Sequence, residues 1–160
     1  MSALNQDETF ETKLALLQEI LNKKHEALSN ILNISENQEM LYLSPPSDER
    51  REFLMEMGKE KQKQIDEVLA CDEVFQSIFD SIADGFEEKG NNYKEKVQEL
   101  QLSINKVLEL DVKIRAQEEK GKVIANANFG KQVGQTNINP ANTSYILSKY
   151  RAAAKNKPNT

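Results

Sequence analysis

Apolar side chains recur at alternating steps of three and four residues through the first part of the chain. A repeat of this kind places one apolar stripe along an α-helix. The spacing therefore predicts a long first helix from about Asp7 to Leu41, in which Lys24 interrupts the stripe. The apolar members of this stripe are Phe10, Leu14, Leu17, Leu21, Leu28 and Ile31.

Two prolines separate this helix from a second one. Pro45 and Pro46 cannot continue a helix, because proline lacks a backbone N–H and the residue before it avoids helical angles. Ser47 or Asp48 is then expected to cap a helix that runs from about Glu49 to Ala83. Its stripe comprises Leu54, Met57, Ile65, Val68, Phe75, Phe79 and Ile82.

Charge interrupts the stripe of the second helix. Lys61 and Asp72 stand at positions where apolar side chains are expected. Around Lys61 the stretch 58–64 is almost entirely polar, so it has little apolar surface to bury. A thin or hydrated part of the packed structure is predicted there.

A third helix is predicted from about Asn92 to Lys120, with Gly121 just after its last residue. Before it, the stretch 84–92 contains two glycines and an Asn pair, which are typical of a connector. A kinked but continuous helix is the alternative. The third stripe comprises Tyr93, Val97, Leu100, Ile104, Val107 and Ile114, is flanked by Leu108 and Leu110, and is broken by Asp111.

The character of the chain changes near residue 120. Six of the 21 Lys and Arg residues lie from Gly121 onward, where no Asp or Glu occurs. The first 120 residues thus hold 15 basic against 26 acidic residues, a net charge of −11, and the tail carries +6. Its Asn and Gly content predicts a flexible, largely disordered tail over residues 121–160. One short helix is expected within it, over residues 140–154.

These patterns predict an all-α protein, with an elongated antiparallel bundle of three long helices over residues 1–120 followed by the tail. The apolar fraction is 38%, which suits narrow helical seams better than a buried sheet. No apolar run reaches the ~18 residues of a membrane span. The start of the chain lacks the pattern of a signal peptide. A soluble, cytoplasmic protein without membrane insertion is therefore expected.

Residues suited to catalysis or metal binding are few. His25 is the only histidine and is expected at the surface or at the edge of a seam. Cys71 is the only cysteine and is expected to fill a semi-buried apolar position. No metal-ligand spacing and no phosphate-binding loop occurs. Neither an enzyme nor a cofactor is expected, and the acidic body disfavours nucleic acid as a partner.

Several local strings resemble flagellar type III export chaperones of the FlgN kind. They are LLQEIL at 16–21 in the first helix, KEKQKQI at 59–65 in the second and LELDVKI at 108–114 in the third. Members of that family often carry a tyrosine soon after the third helix, whereas the nearest aromatic residue here is Phe129. A phenylalanine keeps the ring and lacks the hydroxyl group.

The resemblance implies that the protein binds the C-terminal segment of a hook–filament junction protein in the cytoplasm and delivers it to the export gate. The client segment would lie as an amphipathic helix in an apolar groove. The groove is expected on the third helix, because that helix lies next to the tail and carries apolar residues beyond one narrow seam. Its expected members are Val97, Leu100, Ile104, Val107, Leu108 and Ile114. Docking by the tail would use Phe129, Tyr145, Ile146 and Tyr150.

A coiled-coil scaffold or adaptor that self-associates is the alternative function. In that case the apolar stripe of the third helix would pair with a second copy of the chain as a homodimer. The mass of the protein in solution distinguishes a tight homodimer from a monomer that binds a client.

Overall fold

The structure is a computed structural model that describes the backbone of residues 3–130 and the side chains of residues 9–127. Over this range the chain forms helices and no strand, which confirms the predicted all-α class for the described residues. The helices are α1 (Ala3–Tyr42), α2 (Asp48–Ile82), α3 (Gly85–Lys89) and α4 (Lys94–Gly130). None of these four is both long and apolar enough to traverse a bilayer.

The break between the first two helices lies at the prolines, as predicted. Ser47 has an extended backbone, with φ −160° and ψ 163°, and its hydroxyl accepts a hydrogen bond from the Arg50 N–H at 3.0 Å. Ser47 is therefore the N-cap of α2, and it satisfies one of the free N–H groups at the start of the helix. Arg50 also donates from its guanidinium to the Ser44 carbonyl at 2.6 Å, which fixes the connection.

α1 is the central helix of the structure. α2 and α4 both pack along it, whereas α2 and α4 make few close backbone contacts with each other. Along α1 and α2, Lys24 pairs with Asp72 at 2.6 Å and Gln38 accepts a hydrogen bond from Lys61 at 2.7 Å. Because one residue number rises as the other falls, α1 and α2 are antiparallel.

α4 runs parallel to α1. Gln18 donates to Ser103 at 2.7 Å, and Ser35 donates to Glu118 at 2.7 Å, so the residue numbers rise together along the two helices. This direction follows from the short connections, since each one reverses the course of the chain. The core therefore lies along α1, where α2 and α4 both contact it. Its fully buried apolar members are Leu17, Leu28, Ile31, Ile65, Val68 and Ile114.

The connector between α2 and α4 contributes to the core at one end of the structure. The ring of Phe86 in α3 lies edge-on to that of Phe10, and the two ring centroids are 5.3 Å apart. The centroid of Phe86 is also 5.5 Å from that of Phe79. Tyr93 adds a ring 5.6 Å from Phe10. Glycines predicted a connector here, but one aromatic residue in a polar stretch forms no periodic pattern, so the packing of the half-buried Phe86 against the core was not predicted.

Three of the charged residues within the predicted seams, Lys24, Asp72 and Lys61, are paired across helices. Lys61 has only 1% of its surface exposed, and it forms an ion pair with Glu118 of α4 in addition to its hydrogen bond to Gln38. The prediction of a thin or hydrated stretch is therefore wrong at Lys61. Its long side chain extends to α4 and is buried between the helices. Burial lowers the pKa of the Lys61 ammonium, and the charge of Glu118 partly offsets this effect.

The predicted end of the third long helix at Lys120 is wrong, because α4 continues through Gly121 as far as Gly130. Ala125 is fully buried with Tyr42 and Leu54 in a second, smaller core. Continuing the helix therefore buries apolar surface that a tail starting at residue 121 would leave exposed. Residues 131–160, including the predicted helix over 140–154, lie outside the described residues.

Gly121→Ala is expected to raise the free energy of unfolding by about 0.5–1 kcal/mol, because alanine loses less conformational entropy in a helix interior. A Cβ atom at this position would meet no atom within 4 Å. Gly58 in α2 is equally open, so Gly58→Ala is a matched variant with the same expected gain. Thermal unfolding followed by circular dichroism measures both. A loss of stability at Gly121 alone would contradict a helix that continues through this position.

Glu39→Gln is expected to change how stability depends on pH. A hydrogen bond from Gln117, followed by contact with Lys120 at 3.0 Å, lowers the pKa of the Glu39 carboxyl below its ordinary value of 4.5. A lowered pKa contributes stability above pH 4.5 that is lost as the pH falls through the folded-state pKa. The difference in unfolding free energy between wild type and variant should therefore shrink on acidification from about pH 7 to about pH 3. Urea unfolding at each pH measures it, and parallel profiles would contradict the assignment.

Candidate partner-binding surface

Three of the six residues predicted to bind a partner lie in the core. Leu100, Val107 and Ile114 have 3%, 5% and 0% of their surface exposed, and they form the contact of α4 with the core. Val97 and Ile104 are half-buried against the same core. These five side chains therefore hold α4 in place, and the buried three present no surface to a partner in this arrangement. The sixth, Leu108, is 57% exposed.

The opposite side of α4 carries a second set of apolar residues, which face solvent. Leu102, Leu108, Val112 and Val123 are between 57% and 65% exposed, and Ala116 is exposed as well. We call these five residues the outer α4 face. A group of exposed apolar side chains on one helix marks an interaction surface more often than scattered ones do.

Four members of the outer α4 face form a row along the helix axis. Leu108, Val112 and Ala116 follow at steps of four, which places them on one side of the helix. Val123 lies eleven residues after Val112, close to three full turns at 3.6 residues per turn. Leu102 lies six residues before Leu108, so it faces solvent about a third of a turn away from Leu108. With a rise of 1.5 Å per residue, the row from Leu108 to Val123 extends for about 23 Å, which matches a partner helix of roughly four turns.

Charged side chains of both signs lie in and beside the row. Glu119 falls within it, three residues after Ala116 and four before Val123. Glu109 and Lys113 are exposed beside the row, and Arg115 forms an ion pair with Asp111 one turn before it. The apolar strip from Leu108 to Ala116, with charged neighbours, resembles the layout of protein interfaces, which have an apolar centre and a polar rim. Asp111, which breaks the predicted seam, thus pairs within α4 rather than across to another helix.

Sequence reasoning identified Leu108 but missed Leu102, Val112, Ala116 and Val123. The steps of three and four from Tyr93 lead to the buried side of α4. The signal for the outer α4 face is the independent step-of-four row from Leu108 to Ala116. A helix that carries two apolar rows on opposite sides has more apolar surface than one neighbouring helix can cover.

A second set of exposed apolar residues flanks the connection between α1 and α2. Met40 and Leu43 at the end of α1 are 67% and 66% exposed, and Phe53 and Met55 near the start of α2 are 46% and 52% exposed. Methionine adapts its shape to different partners, which makes such residues frequent on adaptable binding surfaces. These side chains come from both ends of the connection, and Leu43 directly follows the last residue of α1, whereas the outer α4 face lies on one helix.

The two residues of most interest for chemistry occupy different surroundings. Cys71 is buried, and this burial, together with the nearby Glu67 and Asp72 carboxylates, raises the pKa of its thiol. A raised pKa lowers the fraction of reactive thiolate at neutral pH. His25 is exposed on α1 and lines a pocket between α1 and α4. Among the described side chains, no three His, Cys, Asp or Glu residues gather in a way that could hold a metal ion.

The residues predicted for tail docking lie at or beyond the end of the described chain. Phe129 belongs to the last turn of α4, and its side chain is outside the described set. Tyr145, Ile146 and Tyr150 lie outside the described residues altogether.

No family model matches the chain, and neither a curated protein nor a solved structure shows significant similarity to it. The function is therefore inferred from the residues and their arrangement.

Proposed function

We propose that this protein is a helical binding module that shields an amphipathic segment of another polypeptide, as a cytoplasmic flagellar export chaperone does. The three long helices form an elongated antiparallel bundle, and the client is the C-terminal segment of a hook–filament junction protein. The tail delivers the complex to the export gate, and its docking residues are Phe129, Tyr145, Ile146 and Tyr150. The family resemblance at residues 16–21, 59–65 and 108–114 motivates the choice of client.

The outer α4 face is the observation that supports a binding role. Its large apolar side chains are more than half exposed although the same helix already buries a complete seam. Each large apolar side chain removed from water on binding contributes about 1.5–3 kcal/mol when fully buried. The four such side chains on this face offer apolar surface to an amphipathic helix with anchors at steps of three and four.

The buried seam has a supporting role in this proposal. Leu100, Val107 and Ile114 fix the rotation of α4 about its own axis, because turning the helix would expose them. The outer α4 face is therefore presented in one orientation without a client. A surface that is already in place spares the free energy of ordering it on binding.

Calorimetry with C-terminal peptides of hook–filament junction proteins tests the proposal. We expect binding to the wild-type protein, and loss of binding when Leu108→Lys and Val112→Lys place two charges in the row. The matched control is Ala70→Lys with Val74→Lys, which adds the same charges at the same spacing to exposed positions of α2. Absence of binding to every such peptide would refute the client. Equal loss in both double variants would refute the outer α4 face as the binding surface.

Self-association through the same row is the alternative. A coiled-coil scaffold would bury the outer α4 face against that of a second copy. The mass in solution at nanomolar concentration distinguishes the two, because a tight homodimer persists on dilution and a client-binding monomer does not dimerise. Leu108→Lys with Val112→Lys should dissociate the homodimer if the alternative holds.

A further inference from the structure

A half-open pocket of about 240 Å³ lies between α1 and α4. Leu21, which is buried, Asn22 and His25 line it from α1, and Ser103 and Lys106 line it from α4. Its volume is below the ~300–1,000 Å³ of most sites for drug-sized ligands. The pocket therefore suits a small ligand, and four of its five lining residues are polar.

A hydrogen-bond network sets the polarity of this pocket. The Gln18 amide nitrogen donates to Asn22 Oδ1 at 3.1 Å and to Ser103 Oγ at 2.7 Å. Both acceptor oxygens are thus engaged by the same amide group. The Asn22 amide N–H and the Ser103 hydroxyl hydrogen remain available to donate to a ligand. Gln18 Oε1, on the same amide group, is buried and accepts no hydrogen bond from the described residues.

Cationic groups stand on both walls. Lys106 carries three N–H donors on α4, and His25 donates from both ring nitrogens on α1 when it is protonated. Among the described residues, neither side chain forms a hydrogen bond or an ion pair. Charge-assisted hydrogen bonds from such donors are stronger than neutral ones. We propose that this pocket binds a small oxyanion, a phosphate or a carboxylate, between Lys106 and His25.

The single histidine makes a direct test practicable. The ring C–H signals of His25 in NMR spectra report on this pocket alone, because no other histidine contributes. The protein is titrated with inorganic phosphate, with acetate and with sodium chloride at matched ionic strength and a constant pH of about 6. Phosphate or acetate should shift the signals to saturation, whereas chloride should not. Whichever of the two saturates at lower concentration identifies the preferred anion.

Two lysine variants provide the specificity control. Lys106→Met should weaken binding of the preferred anion at least about tenfold, because a hydrogen bond to a charged group is lost. Lys113→Met removes an exposed lysine of the same helix that does not line the pocket, and it should leave binding unchanged. An equal response to chloride, or unchanged affinity in Lys106→Met, would overturn the proposal.

Discussion

Lys61→Met is expected to lower the free energy of unfolding by about 3–5 kcal/mol, because it leaves a carboxylate buried without its cation. Only 1% of Lys61 and 8% of Glu118 is exposed. In the variant Glu118 would keep the hydrogen bond from Ser35, but one neutral hydroxyl replaces little of a lost charge. Urea unfolding followed by circular dichroism measures the loss.

Two further variants test this reason. Lys61→Met combined with Glu118→Leu removes both charges, so it should recover most of the lost stability. Lys96→Met breaks the exposed ion pair with Glu11, whose side chains are 47% and 44% exposed, and it should cost less than about 1 kcal/mol. If Lys61→Met were as mild as Lys96→Met, the buried pair would not stabilise the fold as described. A double variant as unstable as Lys61→Met would show that lost packing, rather than the stranded charge, causes the effect.

Ile114→Ala is expected to lower the free energy of unfolding by about 2–5 kcal/mol, because it opens a cavity in the core. Ile114 is fully buried where α4 meets the rest of the core. Leu108→Ala removes a similar volume from the same helix, but Leu108 is 57% exposed, and its expected change is within about 0.5 kcal/mol. Chemical denaturation of the two variants side by side gives both values.

This pair of variants also separates packing from binding. Under the proposed function Leu108→Ala should weaken the client complex while leaving stability nearly unchanged. Ile114→Ala should instead lower the free energy of unfolding, because the Ile114 side chain lies in the core. If Ile114→Ala proved harmless to the fold while Leu108→Ala destabilised it, the orientation of α4 would be the reverse of the one described.

Local signals in the sequence were sufficient to predict that the three long helices exist. The double proline and the Ser47 cap act over a few residues, so the start of α2 could be predicted from them. The charges in the seams were also visible, and Lys24 and Asp72 prove to be partners. Glu118 lies four residues after Ile114 on the same side of α4, but the predicted seam ends at Ile114 and does not include it.

The end of α4 depends on packing between residues that are far apart in the chain, so it could not be predicted from the local sequence. α4 continues past Gly121 because Ala125 packs with Tyr42 and Leu54, which are far from it in the chain. No pattern near residue 121 reports on those two neighbours. The outer α4 face could not be predicted for a similar reason. When one helix carries two apolar rows, its sequence alone does not indicate which of them packs against the core.

The central position of α1 has a consequence for the order in which the chain can become compact on the ribosome. α1 and α2 emerge first and can form a hairpin, but α4 is the second helix that α1 packs against. Until α4 has been synthesised, the nascent hairpin exposes the side of α1 that α4 later covers. A prematurely terminated product that lacks α4 should therefore aggregate or be degraded, whereas one that lacks only residues after Gly130 would retain every helix described here.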